Sequence, residues 1–156
     1  MSPVDAAIFA THLVFAGLWS GTVLFVSYAV IPTALNGDLR PDALRSMTGK
    51  LRVVSRASAL LLLITGGHLA ATRYTTASLT ATSRGHLVVT MVVLWFLLGG
   101  LVEVGASKLT DGLAQQKVRT PAADARPFLL AASLVAVLLL VDAGFGYTDQ
   151  GEYPCL

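Results

Sequence analysis

Residues 6–32 read AAIFATHLVFAGLWSGTVLFVSYAVIP. The stretch has no Lys, Arg, Asp or Glu and is apolar on every face. A membrane-spanning helix needs roughly 20 mostly apolar residues, and this run exceeds that length. Its few polar features are one histidine, His12, a handful of hydroxyls, and the glycines Gly17 and Gly21.

The rest of the chain repeats the pattern. The 156 residues are 54% hydrophobic and 13% charged, with a mean hydropathy of +0.70. A soluble domain of average composition is about one quarter charged, so there is too little charge here to cover a water-facing surface. Three more apolar stretches follow, at about 53–73, 86–105 and 128–147. None alternates with the period of two of a membrane barrel strand, and a helix satisfies its own backbone groups in lipid. The expected fold class is all-α: an integral membrane, up-down four-helix bundle forming one domain over residues 1–156. A cleavable signal peptide does not fit the first stretch. Its leader, Met-Ser-Pro-Val-Asp, lacks a basic residue, and the apolar run is too long.

Basic residues give the orientation. Arg40, Arg45, Lys50, Arg52 and Arg56 follow helix one, and Lys108, Lys117, Arg119 and Arg126 follow helix three. The middle connection carries only Arg73 and Arg84. The positive-inside rule therefore predicts a multi-pass protein of the cell membrane with both termini outside. Its partner is the lipid bilayer, with other membrane subunits or a homo-oligomer as further candidates. No nucleic-acid footprint is expected, because the basic residues sit at membrane edges without a soluble scaffold. The lone Cys155 makes no internal disulfide.

Several local expectations follow. Helix one ends near Pro32, with Asn36-Gly37 as its turn. Gly17 and Gly21 form a small-xxx-small packing pair. Ser27 can bond across helices or back to its own helix, the second being the usual case. Trp19 shares a face with His12. Arg52 and Arg56 snorkel to headgroups, and Glu103 pairs with Arg56 or Lys108. Residues 107–126 form a polar, partly helical loop, and helix four runs from Pro127.

Chemistry concentrates at the outer end. His12, His68, His86 and Asp142, one from each helix, fall within roughly the outermost 10 Å of the hydrocarbon layer at 1.5 Å per residue. Ionisable groups at such depth usually face the bundle interior or a water-filled cavity. Three chemistries suit the set. Facing imidazoles can ligate haem iron, with His12 and His86 the natural pair across a diagonal and His68 a third. Imidazoles with a carboxylate can hold copper or zinc, with Asp142 as a ligand or orienting a ligand. Histidines and an acid can also relay protons. The structural alternative gives each residue a plainer job: His86 a helix-start residue, His68 bonded to a carbonyl, Asp142 a cap or a partner of Arg73 or Arg84. No phosphate loop or nucleophile arrangement is present, which leaves hydrolytic and nucleotide-dependent chemistry without support. Scarce thioethers and thiols disfavour a Cu(I) relay.

The motif His12, six residues, Trp19-Ser20-Gly21, then an apolar run closing at Pro32 resembles the first helix of copper resistance protein D-type membrane domains. It is also similar to the related membrane protoporphyrinogen oxidases that bind haem b. The resemblance spans the whole chain as a hydropathy pattern and about ten residues of helix one as a motif. It implies copper handling in the first case and haem-linked redox chemistry in the second. The oxidase group tends to carry a basic residue and a histidine on helix three. Here His86 stands at that helix's start and Lys108 at its opposite end, so the carry-over is confined to His12, Trp19 and Gly21. The leading expectation is thus a haem b- or copper-binding membrane module. The alternatives are a cofactor-free subunit or scaffold, and a small ion- or proton-coupled transporter.

Overall fold

A computed structural model describes residues 2–113 and 117–148. Cys155 lies outside the described residues. Four long helices dominate: α1 (Pro3–Asn36), α2 (Pro41–Arg73), α3 (Ser83–Leu113) and α4 (Arg119–Thr148). A short helix, Thr76–Ala81, links α2 to α3, and no strand occurs among the described residues. All four long helices are long and apolar enough to cross a membrane. The protein is an all-α four-helix bundle with the composition of a membrane protein.

The helices are longer than the apolar stretches. Arg40 is the N-cap of α2, so Arg45, Lys50, Arg52 and Arg56 are helical residues. On the far side α3 continues to Leu113 and α4 begins at Arg119, with Pro127 inside it. A hydropathy window sees only the segment suited to lipid, whereas the helix continues wherever its backbone bonds and a partner helix support it.

Nor does α1 stop at Pro32. A π-helical segment, Val26–Val30, precedes the proline, and the helix resumes over Ile31–Asn36. A proline ring clashes with the carbonyl four residues back, and a wider π turn opens the backbone at that place. The helix then ends at Gly37, whose φ is 87°. Gly37 N–H donates to the Ala34 carbonyl and Asp38 N–H to the Thr33 carbonyl, a Schellman closure that needs a left-handed residue. At the opposite end Ser2 and Asp5 form a reciprocal capping box.

Pairwise contacts fix the topology. His12 meets Thr65 and Asp5 meets His68 between α1 and α2. Arg56 meets Glu103, and Arg45 meets the Leu113 carbonyl, between α2 and α3. Gly105 lies against Leu129 and Gly112 against Pro121 between α3 and α4. Ser27 meets the Leu129 carbonyl, and Arg119 the Asn36 carbonyl, between α1 and α4. In every pair the numbering runs in opposite directions, so neighbours are antiparallel. The ring closes in chain order, with α1 diagonal to α3. One end holds the histidines; the other holds nine of the eleven Lys and Arg residues with Glu103.

Two packing expectations are decided here. Of the two bonds open to Ser27, the structure has the less usual one: its hydroxyl donates 2.9 Å to the Leu129 carbonyl across the bundle. Gly17 and Gly21 do not pack helices together. Both are exposed, and a Cβ at either would meet nothing within 4 Å. Close approach is made instead by Gly105 and Gly112 of α3, where a Cβ would collide with Leu129 and Pro121.

The core is unevenly placed. Trp19, Val23, Leu51, Leu62, Leu98, Val102, Leu109 and Leu129 are buried, and all lie from mid-bundle towards the basic end. Beyond Trp19, Leu62, Leu98 and Ala136 towards the histidine end, the only described residues that are buried are Thr65, Gly85 and Asp142.

Candidate functional site

His12 is held in a defined pose. It is half-buried, and its Nδ1 lies 2.8 Å from Thr65 Oγ1. The Thr65 hydroxyl also reaches the Leu61 carbonyl at 2.6 Å. A hydroxyl has one hydrogen to give. The shorter bond takes it, so Thr65 accepts from the imidazole and Nδ1 carries the ring hydrogen, a tautomer assigned from the hydrogen-bond network. Nε2 then keeps its lone pair, and the ring has no further hydrogen-bond partner among the described residues. The ring edge packs over Gly66, where a Cβ would stand 3.1 Å from His12 Cε1. Gly66 therefore makes room for the imidazole, a role the sequence reading did not assign to it.

The other histidines are engaged elsewhere. His68 Nε2 lies 3.7 Å from Asp5 Oδ1, so its partner is a carboxylate on α1 rather than a backbone carbonyl. His86 is exposed near the start of α3, with Nε2 3.0 Å from the Thr80 carbonyl in the preceding short helix. That is the helix-start role weighed for it from sequence.

Heights along the bundle separate the set. Starting from the Arg56–Glu103 pair, α2 climbs about 13 Å to Thr65 while α3 climbs about 25 Å to His86. His86 thus stands about 12 Å beyond the His12–Thr65 level, on the diagonal helix. Starting from the Ser27–Leu129 contact, α1 climbs about 22 Å to His12 and α4 about 20 Å to Asp142. Those two share a level on neighbouring helices. Among the described residues no group of three or more His, Cys, Asp or Glu side chains is close enough to hold a metal ion together.

Asp142 is 8% exposed, and its Oδ2 has no hydrogen-bond partner. The ion pairs among the described side chains do not include Asp142, and the side chain of Arg84, one of its expected partners, lies outside the described residues. The buried indole N–H groups of Trp19 and Trp95 and the hydroxyl of Ser58 are unpartnered as well. At the basic end Glu103 takes two bonds from Arg56, at 2.7 and 3.1 Å, with Arg52 at 3.6 Å. The expected Arg56 pairing is therefore present, with Arg52 in place of Lys108 as the second cation. An apolar groove of about 160 Å³ lined by Phe25, Ala29, Val30, Thr33, Leu39 and Met47 also lies towards the basic end, away from every histidine.

No protein-family model, curated protein or solved structure matches this chain.

Proposed function

We propose that the protein is a multi-pass protein of the cell membrane that binds haem b or copper through His12, with its histidine end outside. The observation that carries this reading is the His12–Thr65 hydrogen bond. Metal-ligating histidines characteristically give their other ring N–H to an orienting acceptor, and Thr65 supplies that acceptor while leaving Nε2 available. The loosely packed half around His12 suits an inserted group better than the close-packed half would. The resemblance of the His12-Trp19-Gly21 spacing to copper resistance D-like domains points the same way. His68 and His86 join as further ligands only by giving up Asp5 and the Thr80 carbonyl. Bound haem would supply one-electron redox chemistry, and bound copper a redox or transfer site.

The test is an optical spectrum, oxidised and dithionite-reduced, of protein purified gently from its native membrane, with metal analysis of the same sample. A Soret band that shifts on reduction and disappears in His12→Ala is expected for haem. Thr65→Val should weaken cofactor affinity about 10–100-fold. Stoichiometric copper without a Soret band moves the reading to copper handling. Neither signal overturns it and leaves a cofactor-free membrane subunit or scaffold.

A further inference from the structure

In the histidine-end half of the bundle Phe15, Leu94, Trp95 and Leu139 are partly buried against the core, and the most deeply buried side chains are polar. Leu13, Val14, Val93, Phe96, Val141 and Phe145 are exposed there, while the buried side chains among the described residues are those of Thr65 and Asp142. The basic-end half instead has a close-packed leucine, valine and alanine core, and its buried polar side chains are uncharged serines and a threonine. Ionisable residues inside membrane proteins generally mark pathways for ions or protons. A buried polar atom without a partner calls for an explanation in function.

Asp142 is the acid of this interior, more than nine-tenths buried, with Oδ2 unpartnered. Helix α4 packs against α1 and α3. From α1, His12 stands at the same height, with Asp5 further out and paired to His68. From α3 there is no charged residue at that height. His86 lies further out on the Thr80 carbonyl, and the unpartnered Trp95 N–H lies about one turn inward. Arg73 ends the diagonal helix α2. The ion pairs among the described side chains do not include Asp142. A carboxylate withdrawn from water without a cation beside it is neutralised by taking up a proton.

We propose that Asp142 is a proton-exchange site inside the membrane, serving proton relay or proton-coupled transport. The proposal goes beyond cofactor binding and does not depend on it, since Asp142 can exchange its proton whether or not His12 carries a group. It is tested on native membrane vesicles with dicyclohexylcarbodiimide, which dissolves in the bilayer. A protonated carboxyl gives its proton to a carbodiimide nitrogen as its oxygen adds to the central carbon. The resulting O-acylisourea rearranges by O-to-N acyl transfer to a stable N-acylurea that keeps every atom of both reactants. The expected result is an adduct mapped to Asp142 by fragment mass, formed more slowly as pH rises and missing from Asp142→Asn. A water-soluble carbodiimide with an added amine should modify the more exposed Asp5 and Glu103 and spare Asp142. No adduct at Asp142, a rate flat in pH, or equal modification by the water-soluble reagent overturns the proposal. The mapping uses the natural chain, so the result stands whether or not Asp142→Asn folds.

Discussion

Gly37 is the residue on which the first turn depends. Its φ of 87° is left-handed, and a Cβ there would lie 2.7 Å from Nη2 of Arg119, the guanidinium that caps the Asn36 carbonyl. Gly37→Ala meets the left-handed penalty of about 1–2 kcal/mol and displaces the cap as well. At about 2–4 °C per kcal/mol for a chain of this size, a thermal melt in detergent should show a midpoint lower by several degrees. The sequence revealed the turn through Asn36-Gly37, but nothing in it linked that glycine to an arginine so far along the chain. Gly66 is a similar case. Gly66→Ala places its Cβ 3.1 Å from His12 Cε1, so the ring must shift by a few tenths of an ångström. If His12 holds a cofactor, the variant should move its absorption bands without unfolding the protein. An unchanged spectrum would separate the imidazole pose from binding.

Among the helices, glycine serves opposite purposes on α1 and α3. Gly17 and Gly21 have the spacing of a packing motif yet point away from the bundle, whereas Gly105 admits Leu129. Gly105→Ala brings a Cβ to 2.9 Å from Leu129 Cγ and should cost about 1–3 kcal/mol as overpacking. Gly21→Ala should leave stability unchanged or raise it slightly, because alanine favours helix by up to about 1 kcal/mol and meets no neighbour. Chemical denaturation of the two variants side by side would check the contrast, and a destabilised Gly21→Ala would mean that this face has a partner. The spacing alone could not distinguish the cases, since all four helices are apolar nearly all round and lipid asks no particular face to turn inward. The same ambiguity hid the cross-helix bond of Ser27.

At the scale of the whole molecule, four antiparallel helices bring the start of α1, the described end of α4 and the Thr76–Ala81 link to one end of the bundle, with Gly37–Arg40 at the other. In a chain with Cys155→Ser, single cysteines introduced at Ser2 and Ala77 should react with an impermeant thiol reagent from the same side. A cysteine at Asp38 should react only from the opposite side, and reaction of all three from one side would refute the topology. The Glu103 pair at the basic end should matter little to stability. Arg56 and Glu103 are 69% and 39% exposed in their side chains, and such pairs are worth about 0–1 kcal/mol. Glu103→Gln should therefore fold with a nearly unchanged melting midpoint.

Four long apolar helices and an all-α class were legible without any structure, because charge content and apolar run length respond to the solvent and need no knowledge of neighbours. The sequence also singled out the histidines and Asp142, since polar groups stand out in an apolar chain. Which of them share a level, and which find other partners, came from the packing of the helices. Depth read from apolar boundaries carries an error of about one turn per helix, and the helices extend beyond those boundaries. His12 was thereby assigned to Thr65, His68 to Asp5 and His86 to its own approach loop, while Asp142 was left buried with an unpartnered oxygen. The physical reason is that register, helix extension and rotation are set by contacts such as Gly105 on Leu129 and Ser27 on the Leu129 carbonyl. Those contacts join residues far apart in sequence and leave no local pattern to read.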